Sequence, residues 1–152
     1  MHTKQRNAGE VQRRLNMPTM SEIVIIEEDA PMRSLISEWL TMEGYRVKVA
    51  EGSSYETARP DLVIADVCMP RDSGLEQLRR VRGAYLGVPV IAISAQFRGG
   101  LALAGAAAGT FGVEALLAKP FDRNSLLRTV QSIIGLPGET IAHAEFRHAE
   151  PA

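Results

Sequence analysis

The chain lacks most of what would mark it as secreted, membrane-spanning or metal-caged. Its single cysteine, Cys68 in 152 residues, excludes an internal disulfide and a multi-cysteine metal site. A reducing compartment follows, with the cytoplasm as the expected location. No run approaches the roughly 20 apolar residues that cross a bilayer, and the N-terminal stretch has no continuous apolar segment of signal-peptide length. An excess of one charge sign is missing too: 17 Lys and Arg face 18 Asp and Glu, a formal net charge of -1. That balance gives no general pull toward nucleic acid or an anionic membrane. The histidines His2, His143 and His148 lie in the terminal stretches, too dispersed for a metal site or a phosphohistidine relay. No glycine-rich phosphate loop follows the first apolar run, where an acidic run would repel phosphate.

What is present has the composition of a soluble globular domain, 45% hydrophobic and 23% charged, at a length suited to one domain and short for two. Residues 1–20 are polar and mildly basic (Lys4, Arg6, Arg13 and Arg14 against Glu10) and are read as a flexible tail. Without interleaved aromatics these charges fit a solvated arm better than a nucleic-acid-binding one. Residues 21–136 form the expected domain, and 137–152 a polar, disordered tail after Leu136-Pro137-Gly138.

Between the tails, short apolar runs alternate with helical patterns, the signature of βα units. The runs are Ile23-Val24-Ile25-Ile26, Tyr45 to Val49, Leu62-Val63-Ile64-Ala65, Val88 to Ile93 and Ala115 to Ala118. Several are apolar on successive residues, so both faces of those strands are expected to be covered, as in a parallel sheet. Met32, Leu35, Ile36, Trp39 and Leu40 predict a first helix ending at Gly44. Leu126, Leu127, Val130, Ile133 and Ile134 predict a last helix ending at Gly135. A third helix is expected over Gly74 to Val81 and a fourth within Leu101 to Phe111. The second is short, confined to Ser53 to Ala58.

In an open parallel sheet ligands bind outside the carboxyl ends of the strands. The residues there are Glu27, Glu28 and Asp29 after the first strand, Asp66 after the third, Ser94 after the fourth and Lys119 after the fifth. Clustered carboxylates repel unless a cation sits among them, and oxygen-only ligands favour magnesium or a similar hard ion. A carboxylate nucleophile beside such an ion, with a lysine and a hydroxyl for oxyanions, suits phosphoryl transfer.

Four motifs then carry a family resemblance over roughly residues 22 to 135. Asp66-Val67-Cys68-Met69-Pro70 with Gly74 resembles the Asp-x-x-Met-Pro-x-x-x-Gly phosphoacceptor motif of response-regulator receiver domains. Lys119-Pro120-Phe121 resembles their Lys-Pro-Phe/Leu signature, Ser94-Ala95 their Thr/Ser-Ala pair, and Glu27 to Arg33 their acidic loop. The resemblance implies a stand-alone, chemotaxis-regulator-like receiver of two-component signalling. Its fold would be α/β and flavodoxin-like, (βα)5, with five parallel strands in the order 2-1-3-4-5.

It further implies that Asp66 accepts a phosphoryl group from a histidine kinase or phosphotransfer protein. Glu28, Asp66 and the backbone carbonyl of Cys68 would hold magnesium, with Glu27 acting through water. Lys119 and Ser94 would contact the phosphoryl group, and the Lys119-Pro120 bond would be cis. A downstream protein is expected at the face of the fourth helix, fifth strand and fifth helix. Nucleic acid and membrane are not expected partners, and dimerisation is left open. The cysteine side chain of Cys68 reads as a small buried hydrophobe.

Two departures stand out. Glu28 occupies a position where the family has Asp, which predicts weak magnesium binding, and Leu116 replaces an aromatic that reports phosphorylation. A pseudo-receiver, a binding module that is not phosphorylated, is the principal alternative. A haloacid-dehalogenase-type phosphatase would need a second Asp where Cys68 stands, and a flavin or nucleotide protein would need the missing glycine-rich loop.

Overall fold

The computed structural model describes residues 20–50, 59–67, 73–95, 109 and 112–138. Its strands are β1 (Glu22–Ile26), β2 (Arg46–Val49), β3 (Leu62–Asp66), β4 (Val90–Ser94) and β5 (Ala115–Ala118), and its helices are α1 (Ala30–Glu43), α2 (Ser73–Ala84) and α3 (Arg123–Ile134). The strands form one sheet in the order β2-β1-β3-β4-β5, every neighbouring pair parallel. This is the expected receiver topology. The chain passes from β1 outward to β2 and returns to β3 on the other side, so the order reverses between β1 and β3. Such a switch point opens a crevice at the carboxyl ends of those two strands.

Successive strand residues point to opposite faces of the sheet, and the core divides accordingly. Ile23, Ile25, Ile64, Ile91, Ile93 and Leu117 join Ile36 and Leu40 of α1 and Leu126 and Val130 of α3 in one cluster. The alternate residues Val24, Val63, Ala65, Ala92 and Leu116 join Leu78 and Val81 of α2 in the other. The three central strands are therefore covered on both faces, as their unbroken apolar runs predict. β2, at the edge, has exposed Arg46, Lys48 and Val49.

Local chemistry fixes the helix ends. Asp29 caps α1 by accepting from the Met32 N–H, with Pro31 in the first turn, where its missing N–H costs nothing. Gly44 closes α1 at φ 104°, its N–H reaching the carbonyls of Leu40 and Thr41. Asp122 caps α3 through the Ser125 N–H at 2.7 Å. The expected third helix is α2, and it runs further than its apolar pattern, through Gly83 to Ala84. The Tyr85 N–H continues the pattern to the Val81 carbonyl at 3.0 Å, and its side chain is buried beside Val81. Tyr45 precedes β2 rather than opening it and is fully buried, its hydroxyl donating to the Gly135 carbonyl at 2.8 Å. Burial and the nearby Glu43 carboxylate push that hydroxyl up to about 12. The expected second and fourth helices and both tails beyond residues 20 and 138 fall almost wholly outside the described residues. Among the described residues no helix is long and apolar enough to cross a membrane.

Candidate functional site

The carboxyl ends of β1, β3 and β5 bring three side chains together. Glu27 follows β1, Asp66 ends β3, and Lys119 follows β5. The Lys119 ammonium lies 2.9 Å from Glu27 Oε2 and 3.3 Å from Asp66 Oδ1. Two carboxylates from different strands thus converge on one cation. The Lys119-Pro120 bond is cis, as the resemblance implies, and the Lys119 N–H donates to the Ser94 carbonyl at 2.9 Å. Ser94 is buried at the end of β4, paired with Ala118 of β5.

Each member is held from behind. The Asp66 carbonyl accepts from Gln77 Nε2 of α2 at 3.0 Å, which fixes the strand end. Glu27 is buried, 4% exposed; its Oε1 accepts from the Asp29 N–H at 3.0 Å. Arg33 Nη1 donates to the Glu27 backbone carbonyl at 3.2 Å. Sequence reasoning assigned Glu27 a water-mediated role and gave none to Gln77 or Arg33. The helical spacing that puts Gln77 one turn into α2 is a signal for it, though a faint one.

Electrostatics follow from this geometry. Burial pushes the Asp66 carboxyl above its ordinary value, and the neighbouring Glu27 charge adds to the rise, against the opposing pull of Lys119. Burial works against the Lys119 ammonium, but the Glu27 hydrogen bond and the Asp66 and Glu27 charges outweigh it, and Lys119 lies above its ordinary value.

Glu28 is exposed and makes no hydrogen bond or ion pair with another described residue. No group of three or more His, Cys, Asp or Glu side chains suited to a metal exists among the described residues. Cys68, Met69 and Pro70 lie outside them, and so does the Cys68 carbonyl. The donors that are described nevertheless fit a hard cation: Glu27 and Asp66 offer oxygens only, already gathered around one positive charge. Leu116 is buried on the α2 side of the sheet, so the position that carries an aromatic in the family is filled by an aliphatic contact.

Comparison with known proteins agrees with this geometry. The chain is 30% identical over 119 residues to the transcriptional regulatory protein CpxR of Klebsiella pneumoniae, covering 76% of this chain and 50% of that protein. It is 29% identical over 117 residues to the response regulator MprA of Mycobacterium tuberculosis, covering 74% and 50%. The chain spans about half the length of these curated relatives. Among solved structures, the receiver domain of the sensor histidine kinase PA1611 from Pseudomonas aeruginosa, which has a magnesium ion coordinated in its active-site cleft, is 30% identical. Its TM-score is 0.60, with 77% of this chain and 99% of that one covered. The chemotaxis protein CheY4 of Vibrio cholerae is 25% identical at a TM-score of 0.61, with 76% and 99% covered. The response regulator receiver domain model matches residues 23–131, and the chain belongs to that family, the phosphoacceptor switches of two-component phosphorelay signalling.

Proposed function

We propose that Asp66 is the phosphoacceptor, taking its phosphoryl group from a histidine kinase or phosphotransfer protein in the cytoplasm. The observation that carries this reading is the convergence of Glu27 and Asp66 on the Lys119 ammonium at the switch point of the sheet. An Asp66 carboxylate oxygen attacks the phosphorus, an O–P bond forms, and the P–N bond to the donor imidazole breaks with its electron pair leaving on nitrogen. The Lys119 ammonium, 3.3 Å from Asp66 Oδ1, takes up charge on the new phosphoryl oxygens. The Ser94 hydroxyl, at the end of the adjacent strand, donates to another. Glu28, Asp66 and the Cys68 carbonyl would hold magnesium, with Glu27 acting through water, and the ion would supply positive charge to the transferring phosphoryl group. The downstream partner reads the change at the face of β5, α3 and the expected fourth helix.

Incubation of the full chain with acetyl phosphate and magnesium, read by intact mass, tests this. One added phosphoryl group is expected, abolished by chelator. A folded chain that acquires none is a pseudo-receiver, and the proposal fails.

A further inference from the structure

Two helix faces on opposite sides of the sheet carry a further inference, independent of the phosphoacceptor assignment. α1 packs with α3 on one side of the sheet, and α2 on the other. On α1, Pro31, Leu35, Glu38 and Met42 recur at the spacing of a single helix face, and all four are exposed. Leu35 is 39% exposed and Met42 66%. The Glu38 carboxylate has no cationic partner among the described residues, and exposed Glu28 and Asp29 stand at the start of the same helix. This face is apolar and acidic.

α2 presents the converse. Arg79, Arg82 and Gly83 share one exposed face, and Leu86, just past the end of the helix, continues it and is 76% exposed. Nothing stands within 4 Å of where a Gly83 Cβ would lie, so the surface between these side chains is open. Arg59, ahead of β3, places its Nη2 3.5 Å from the Gly87 carbonyl, which sets another guanidinium beside Leu86. Arg80 pairs with Glu76 at 3.9 Å, whereas Arg59, Arg79 and Arg82 have no carboxylate partner among the described residues. This face is apolar and basic.

We propose that the acidic α1 face of one copy of this chain docks on the basic α2 face of a second copy. Leu35, Met42 and Leu86 supply the apolar contact, and Glu38 pairs with the unpartnered arginines, whose planar guanidinium suits a carboxylate. The chain as a whole carries a net charge of only -1, so little overall repulsion opposes the approach of a second copy. The two faces differ and lie on opposite sides of the sheet, so the contact is heterologous. Each copy in a pair keeps one face unused, and assembly continues past the dimer.

Sedimentation velocity of the full, unphosphorylated chain tests this, at chain concentrations up to about 1 mM and in low and roughly 0.15 M salt. Species that grow past the dimer with concentration and recede with salt are expected. Glu38→Arg and Arg82→Glu each set like charges face to face and are expected to weaken association about tenfold or more. Both side chains are exposed, and circular dichroism checks that each variant folds; Arg79→Glu serves as a second variant on α2. An equimolar mixture of Glu38→Arg and Arg82→Glu is expected to associate again, because the intact α2 face of the first meets the intact α1 face of the second. A chain that stays monomeric throughout leaves these faces to other proteins and overturns the inference. Association that stops at a dimer, that neither charge reversal weakens, or that the mixture fails to restore overturns it as well.

Discussion

Asp66 illustrates how a buried carboxylate works against stability at a single residue. Its carboxyl is raised above the ordinary range by burial first and by Glu27 second, so the folded chain binds that proton more tightly than the unfolded one. The stabilising contribution is therefore present at acid pH and is lost as pH rises through the raised value; near neutrality the ionised group destabilises the fold. Asp66→Asn is expected to raise Tm near neutral pH, with the gain shrinking toward the ordinary carboxylate range. Thermal melts across that window check it, and a Tm difference independent of pH contradicts it. Asp66, Ser94 and Lys119 were legible in the sequence because each falls at the end of an unbroken apolar run. Which member of the Glu27-Glu28 pair turns inward was not, since both follow the same strand and only packing against α1 and β5 separates them.

At the scale of elements, the cap of α1 and the strand after it are specified by two adjacent residues. Gly44 sits at φ 104° with Pro137 3.4 Å from where a Cβ would stand. Gly44→Ala is expected to cost about 1–2 kcal/mol from the left-handed backbone alone. Tyr45→Phe removes the bond to the Gly135 carbonyl and is expected to cost roughly 0.5–1.5 kcal/mol. Urea unfolding monitored by circular dichroism measures both. Ile91→Ala, in a fully buried residue of β4, is expected to cost about 2–5 kcal/mol. The strands were legible as elements because parallel strands covered on both faces leave unbroken apolar runs. Their limits were less so: Tyr45 and Val88 are apolar for packing outside the ladder, while Ser94 belongs to it through pairing with Ala118. The end of α2 was obscured by Gly83, which reads as a breaker but lies within the helix.

For the whole molecule, the sheet order follows from no single residue, and it came from the family resemblance that the motifs carried. The topology then places Glu27 and Asp66 at the ends of neighbouring strands at the switch point and Lys119 at the end of β5, two strands beyond β3, near enough for its side chain to reach both. Leu116 packs into the α2-side cluster and gains little by moving, so the route we propose for the signal runs through Ser94 and the chain that follows it. Phosphorylation is expected to slow amide hydrogen exchange across Ala95 to Gly105, and unchanged exchange there with changes elsewhere would refute that route. The acceptor itself is tested most directly by intact mass of the unaltered chain and of Asp66→Asn, each treated with acetyl phosphate and magnesium. One phosphoryl group on the former and none on the latter is the expected result; an adduct that persists in Asp66→Asn contradicts it.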